Sequence, residues 1–144
     1  MDSRLPIARA VAAAALAALL GGHGAAVAQN PNEPNVTVVN GTITVDQDPI
    51  RLRAGQVSNG RWQVSWMLAR SGDYRFADDG IKVMPATEDG RLPDDLKCNR
   101  LANGVRFACS FKPRSGTFNY KYDINVVDKA GARTSLDPVI NTNF

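Results

Sequence analysis

Alternating apolar and polar residues dominate the chain after about residue 35, and helical repeats are almost absent. Residues 61–68 (RWQVSWML) place Trp62, Val64, Trp66 and Leu68 on one side of an extended chain. Residues 117–127 alternate in the same way, with aromatic and aliphatic side chains on one side and polar side chains on the other. A period of two residues is that of a half-buried β-strand, so both segments are predicted strands.

Shorter runs of the same kind predict the remaining strands. They lie at residues 36–45, 50–53, 74–76, 81–84, from about 96, at 105–111, and at 136–140, the last as an edge strand. Short strands separated by frequent turn signals predict an all-β chain of seven to nine strands, folded as a single antiparallel, immunoglobulin-like β-sandwich. A small barrel is the alternative. Residues 86–95 (ATEDGRLPDD) have no apolar period and predict a long surface loop.

Two Asn-Gly pairs fix the expected strand register. Asn40-Gly41 lies between two β-branched runs, which is typical of a two-residue hairpin turn. In that register Val36 faces Val45 and Val38 faces Ile43. Asn103-Gly104 lies in the middle of residues 98–109 (CNRLANGVRFAC) and predicts a second hairpin of the same kind.

The second hairpin explains the two cysteines. Counting outward from Asn103-Gly104 places Cys98 directly opposite Cys109, with Cα atoms roughly 5.5 Å apart, which a disulfide accepts. A Cys-x-x-Cys spacing or further ligands would be needed for a redox or metal site, and neither is present. The spacing therefore predicts a structural disulfide, with a free or regulatory thiol pair as the alternative.

The first 28 residues have the pattern of a cleaved secretory signal. Arg4 and Arg9 precede a ten-residue apolar run, and Ala26-Val27-Ala28 is a typical cleavage site. The run is too short for a membrane anchor. We therefore expect a signal peptide at 1–28, a disordered lead-in at 29–35, one β-sandwich domain at 36–144, and a periplasmic or extracellular location, which also favours the disulfide.

Removing the signal changes the candidate chemistry. The formal net charge falls from +3 to +2, which gives no electrostatic reason to expect binding to nucleic acid. The only histidine, His23, leaves with the signal. Catalysis by Ser-His or Cys-His pairs and the usual copper and zinc sites are thereby excluded from the mature chain. We expect a protein that is not an enzyme and that holds no cofactor or metal.

Loop carboxylates are the remaining candidates for chemistry. Asp46 and Asp48, and Asp78-Asp79 together with Asp73, offer oxygen ligands for Ca²⁺, but they lack the ligand ladder of an EF-hand, so solvated turns are the expectation. Glu88-Asp89 and Asp94-Asp95 offer paired carboxylates of the kind that glycosidases use. They lie in a polar loop without an obvious cleft.

A polar sheet face is the candidate partner surface. If residues 112–116 (KPRSG) join the strands at 105–111 and 117–127 as a hairpin, the outward side chains of both strands form one mildly basic surface. Arg106, Arg114 and Lys121 are the residues we expect to contact an acidic partner there. An ordinary solvated face is the alternative.

The C-terminal segment YKYDINVVDKAGARTSLDPVIN (residues 120–141) resembles the close of small exported bacterial proteins of unknown function. These combine a Tyr-rich strand with a DP-x-I-x-N tail, and residues 136–141 (LDPVIN) carry the resemblance here. The resemblance implies an immunoglobulin-like or cupredoxin-like sandwich without an assigned activity. A cupredoxin's histidine ligands are absent, so only the scaffold carries over.

Three function classes follow. The first is a non-catalytic binding or accessory module of the bacterial cell envelope, whose partner is a protein or another envelope component. The second is an inhibitor of a secreted hydrolase such as lysozyme, which would present the acidic loop 88–95 to a cationic enzyme. The third is a carboxylate-dependent hydrolase.

Overall fold

The computed structural model describes residues 32–143, which form ten strands and two short 3₁₀ turns. The predicted signal peptide and residues 29–31 of the lead-in lie outside the described residues. The strands are β1 (Asn35–Val39), β2 (Thr42–Val45), β3 (Ile50–Arg53), β4 (Trp62–Leu68), β5 (Arg75–Pro85), β6 (Lys97–Leu101), β7 (Arg106–Phe111), β8 (Thr117–Val127), β9 (Arg133–Leu136) and β10 (Val139–Asn143).

The strands form two separate five-stranded sheets, which confirms the β-sandwich. The first sheet has the order β2-β1-β4-β7-β6. The second has the order β3-β10-β8-β5, and β9 pairs with β8 beyond the end of β10. Most neighbours are antiparallel as predicted, but β1 with β4 and β3 with β10 are parallel pairs. The sheets are therefore mixed.

The core lies between the inner faces of the two sheets. Trp62 and Trp66 of β4 are almost fully buried, and Tyr122 of β8 packs against Trp66 with its ring centroid 5.2 Å away. Phe76 of β5 meets Phe107 of β7 edge to face at 5.8 Å. Both contacts join one sheet to the other. The aromatic residues that the sequence places on apolar strand positions thus pack in the core, except that Phe118 is only half-buried.

Both predicted hairpin registers are confirmed. Val36 pairs with Val45 and Val38 with Ile43 across the Asn40-Gly41 turn, whose two central residues have positive φ. Cys98 pairs with Cys109, and the structure contains the disulfide between them. Their Cα atoms are 4.0 Å apart, closer than expected.

Residues 75–85 differ from the prediction, because they form one long strand instead of two short ones. The pairing of β5 with β8 runs from Arg75–Val127 to Pro85–Tyr120 and shifts register between Phe76 and Ile81. The segment between them, residues 77–80, is a bulge. Its extra residues break the period of two, which is why the sequence pattern looks like two separate strands.

Both ends of the described chain also differ from the prediction. The expected final edge strand at 136–140 is instead two strands, and β10 lies inside the second sheet between β3 and β8. The lead-in is ordered from residue 32, since the carbonyls of Asn32 and Pro34 accept hydrogen bonds from the β4 backbone. β10 has few apolar residues, and its neighbours β3 and β8 are not adjacent to it in the chain. The sequence pattern around it is therefore too weak to show that it lies inside a sheet.

Two of the connections that cross between the sheets at one end of the sandwich border the candidate site. Residues 86–96 lead from β5 in the second sheet to β6 in the first, and residues 112–116 lead from β7 in the first sheet to β8 in the second. The prediction that 112–116 closes a hairpin between β7 and β8 is therefore wrong. Within residues 32–143, no helix is long and apolar enough to cross a membrane.

Candidate functional site

A groove lies at this end of the sandwich, between the two crossing connections. One wall is residues 91–95, and the other carries Lys112 and Arg114. The groove has a volume of about 350 Å³. We call it the cationic groove, because three of its lining side chains, Arg91, Lys112 and Arg114, are basic. A smaller depression of about 200 Å³ shares Arg91 and is also lined by Phe118 and Tyr120.

A latch of hydrogen bonds fixes the two walls of the groove against each other. Arg61, just before β4, donates from Nη1 to Asp95 Oδ2 at 2.6 Å and from Nη2 to the Asp95 carbonyl at 2.8 Å. Its Nη2 also donates to the Ser110 carbonyl at 3.0 Å. The carboxylate of Asp95 accepts the backbone N–H of Lys112 at 3.1 Å. Arg61 and Asp95 thus tie the 86–96 connection to the ends of β4 and β7.

The latch is partly shielded from water, which strengthens it. The side chains of Arg61 and Asp95 are 28% and 30% exposed. Burial opposes ionisation of Asp95, but the Lys112 N–H and the Arg61 guanidinium outweigh it and hold the pKa of that carboxyl below its usual range. Asp95 therefore stays ionised, and Arg61 neutralises its charge.

The three basic side chains of the groove keep their charge available. The ion pairs formed within residues 32–143 use other side chains, and Arg91, Lys112 and Arg114 take part in none of them. Arg114 stacks on the Phe118 ring, with Cζ 4.6 Å from the centroid. Such a contact holds a guanidinium in place without neutralising it.

The backbone of the 86–96 wall is held in a defined shape. Turns close at either side of Arg91, where Gly90 N–H donates to the Thr87 carbonyl at 3.0 Å and Leu96 N–H donates to the Pro93 carbonyl at 3.1 Å. The predicted surface loop 86–95 is thus an ordered wall of the groove.

The predicted partner surface is not formed as one face. Arg106 lies on β7 in the first sheet and Lys121 on β8 in the second. Arg114 lies in the connection between those strands. Of the three, only Arg114 lines the cationic groove. Asn125, another member of the expected polar face, is 3% exposed, because the β5 bulge covers it and the Asp79 carbonyl accepts its Nδ2–H at 2.9 Å.

The candidate calcium carboxylates are engaged by the protein itself. Asp78 pairs with Arg100 at 2.9 Å, Asp79 with Arg133 at 2.6 Å, and Asp73 with Lys129 at 3.5 Å. Asp46 accepts the Asn35 backbone N–H, and Asp48 accepts that of Val139. Among residues 32–143, no three His, Cys, Asp or Glu side chains are arranged to hold a metal ion.

The paired carboxylates of the 86–95 loop have different surroundings. Asp95 is committed to the latch, whereas Glu88, Asp89 and Asp94 are exposed. Asp94 and Asp95 line the cationic groove. Only one carboxylate in the groove is therefore free of an ion pair.

Sequence reasoning missed Arg61 and Arg91. In the pattern of residues 61–68, Arg61 falls on the polar side of the strand, and Arg91 lies in a segment without an apolar period. An indication was available for the loop, because Leu92 and Pro93 within an acidic segment point to local packing. The pairing of Arg61 with Asp95 joins residues 34 positions apart, and no local pattern encodes it.

No protein family, protein of described function or solved structure matches this chain at a significant level. The resemblance of residues 120–141 to small exported bacterial proteins therefore stays a prediction. Asn141 follows Ile140 directly, so the DP-x-I-x-N pattern is matched only as far as Ile140. In the fold, the two parts of that segment are neighbours, since Tyr120 pairs with Ile140 and Lys121 with Val139.

Proposed function

We propose that this protein is an exported, non-catalytic binding module of the bacterial cell envelope, and that it holds a negatively charged partner in the cationic groove. The carrying observation is the groove itself, which has a volume of about 350 Å³. It is lined by Arg91, Lys112 and Arg114, and none of the three forms an ion pair within residues 32–143. Fixed charges of one sign in a concave site attract and orient an oppositely charged group.

The location in an oxidising compartment rests on two features. The Cys98–Cys109 disulfide is typical of exported proteins, and residues 1–28 have the composition of a secretory signal. The periplasm is the compartment we propose. N-terminal sequencing of the exported form should begin at Gln29; retention of the full chain in the cytoplasm with two free thiols would contradict it.

Binding is favoured over catalysis by the state of the carboxylates. A carboxylate-dependent hydrolase needs two groups that exchange protons with the substrate and water. In the groove, Asp95 is committed to Arg61 and has a pKa below its usual range, which makes it a poor acid. Residues 29–144 contain no histidine to take its place.

Site-specific photo-crosslinking in the producing cell tests the proposal. A photoreactive amino acid at Ser115, an exposed residue of the connection that carries Arg114, should form an adduct with an envelope component. The same label at Thr44, exposed on β2 of the first sheet, is the control. Changing Arg91, Lys112 and Arg114 together to Gln should abolish the Ser115 adduct. Equal adducts at both positions, or an adduct that survives the triple change, would contradict the proposal.

The hydrolase-inhibitor alternative has its own discriminating variant. Glu88 and Asp89 are exposed on the 86–96 connection and carry the negative charge that a cationic enzyme would contact. If the protein inhibits lysozyme, inhibition should disappear in E88Q/D89N and persist in the triple Gln variant of the groove. If the protein is instead a binding module, the envelope adduct should persist in E88Q/D89N and disappear in the triple Gln variant of the groove.

A further inference from the structure

The charge of the cationic groove narrows the chemical class of its ligand. Arg91, Lys112 and Arg114 face two carboxylates, of which Asp95 is already neutralised by Arg61 at 2.6 Å. The groove is thus lined by three positive side chains and by one carboxylate, that of Asp94, which is not neutralised by an ion pair. The excess of positive charge matches a group with two negative charges better than a group with one.

The chemistry of the cations points in the same direction. Arginine presents planar N–H donors that match phosphate and carboxylate oxygens, and lysine adds a point charge. Arg91 lines the groove from the 86–96 connection, and Lys112 and Arg114 line it from residues 112–116. An anion between the walls would therefore be contacted from both sides, which suits a tetrahedral group with three terminal oxygens.

The size of the groove sets a further limit. A volume of about 350 Å³ is at the lower end of the range for small-molecule sites. It accommodates a phosphate together with a small organic body, and it is too small to enclose a folded protein surface.

We propose that the cationic groove is a binding site for a phosphomonoester dianion. This inference rests on the proposed binding function and names the ligand class of the same site. The phosphomonoester has two possible sources with the same chemistry, a free phosphorylated small molecule and the phosphorylated headgroup of an envelope lipid.

Titration with phenyl phosphate, followed by ¹H–¹⁵N NMR on the mature protein, tests the assignment. Amide shifts should move in residues 91–95 and 112–114 and stay fixed in the β5 bulge, residues 77–80. Phenyl sulfate, a monoanion of similar shape, should bind about tenfold more weakly, because one charge-assisted contact is worth about a factor of ten. Equal affinity for both probes, or shifts confined to other surfaces, would overturn the assignment.

Lys112→Met is the most informative variant. The backbone N–H of Lys112 holds Asp95 and is kept in this variant, so the latch remains while the charge is lost. The dissociation constant for phenyl phosphate should rise about tenfold. Lys82→Met, on the outward face of β5, is the control and should leave it within twofold. An equal loss in Lys82→Met, or no loss in Lys112→Met, would overturn the site.

Vesicles distinguish the two ligand sources. Retention on vesicles that contain phosphatidic acid, a phosphomonoester lipid, and release from vesicles of phosphatidylglycerol would assign the lipid headgroup. Binding of phenyl phosphate without retention on either vesicle would assign a soluble ligand. If phenyl phosphate does not bind but the groove-dependent Ser115 adduct forms, the ligand class is wrong and the proposed function stands. If neither is observed, both proposals fail.

Discussion

The groove end of the sandwich and the β5 bulge both use Arg–Asp pairs, yet they leave different charges at the surface. At the bulge, Arg100 reaches from the first sheet to Asp78, and Arg133 reaches Asp79 from β9. At the groove, Arg61 alone neutralises Asp95, and three further cations stay unpaired. Paired charges at the bulge hold strands together, whereas unpaired charges at the groove are available for a ligand.

The two regions also differ in how deeply the pairs lie. The Arg61–Asp95 side chains are less than a third exposed, whereas Asp78 is 91% exposed. Solvent screens exposed pairs, so each contributes little stability. The bulge must therefore be held mainly by packing and the groove mainly by its latch. This difference can be tested residue by residue.

The largest effect should come from Gly80→Ala in the bulge. A Cβ there would lie 2.7 Å from Phe76 Cβ and 2.9 Å from the Ala77 carbonyl oxygen and Phe107 Cδ2. Because the backbone cannot move aside as a flexible side chain can, we expect the added methyl group to lower the free energy of unfolding by about 3 kcal/mol. Chemical denaturation measures this change. Gly55→Ala, where a Cβ has nothing within 4 Å, is the control. Equal stability of the two variants would mean that packing does not hold the bulge.

The next effect should come from Asp95→Ala in the latch. The variant removes the hydrogen bonds from Arg61 and from Lys112 N–H and leaves a partly buried guanidinium unpaired. We expect a loss of about 2 kcal/mol in the free energy of unfolding, together with weaker ligand binding because the groove walls separate. Asp94→Ala, an exposed neighbour, should change stability by less than about 0.5 kcal/mol.

The pH dependence of that stability follows from the lowered pKa of Asp95. A depressed carboxyl pKa stabilises the folded state above the unfolded value, roughly 3.9, and the contribution is lost as the pH falls through the folded value. Denaturant titrations below pH 5 should therefore show a shallower acid slope in Asp95→Ala than in the parent protein. An unchanged slope would contradict the role of the latch.

Alkaline pH should destabilise the sandwich as a whole, because Tyr122 lies in the core between the two sheets. Its hydroxyl and the Trp66 indole N–H are buried without a hydrogen bond of ordinary geometry. Burial raises the pKa of Tyr122, so the folded state keeps its proton after an unfolded tyrosine, with a pKa of about 10, has lost its own. Above that pH, stability should fall by about 1.4 kcal/mol per pH unit.

Tyr122→Phe tests this account. The variant removes an unsatisfied hydroxyl and should be at least as stable as the parent protein near pH 7, and its alkaline slope should be shallower. An alkaline slope that survives the change would contradict this account.

The sequence predicted the parts of the fold that depend on local chemistry. Asn40-Gly41 and Asn103-Gly104 set two registers and with them the disulfide, because turn type fixes strand pairing. The bulge was missed, since its two aspartates look like a solvated turn until Asn125 and Arg133 are brought against them. The mixed sheets were missed because the pairing of β1 with β4 and of β3 with β10 joins distant segments.

The candidate site was predictable only in part, for the same reason. Arg114 was identified from its turn, but it was grouped with Arg106 and Lys121, which the sandwich places in different sheets. Whether residues 112–116 close a hairpin or cross between sheets depends on the partners of β7 and β8. Those partners are β4 and β6 for β7, and β5, β9 and β10 for β8. No local pattern around the turn contains that information.

The smallest effect should come from Asp79→Ala at the bulge, and it tests the comparison most directly. The hydrogen bond from Arg133 holds the pKa of Asp79 below its usual range, but both side chains are about half exposed. Exposed ion pairs contribute roughly 0–1 kcal/mol, so the loss of stability should be smaller than in Asp95→Ala. The Asp79 backbone carbonyl, which accepts from Asn125, is kept in the variant. Salt should also distinguish the two ion pairs, because screening acts chiefly on exposed charges. In 1 M NaCl, Asp79→Ala and the parent protein should have the same free energy of unfolding. Asp95→Ala should keep most of its loss of stability. A loss at Asp79 equal to that at Asp95 would show that the bulge, too, depends on its ion pairs.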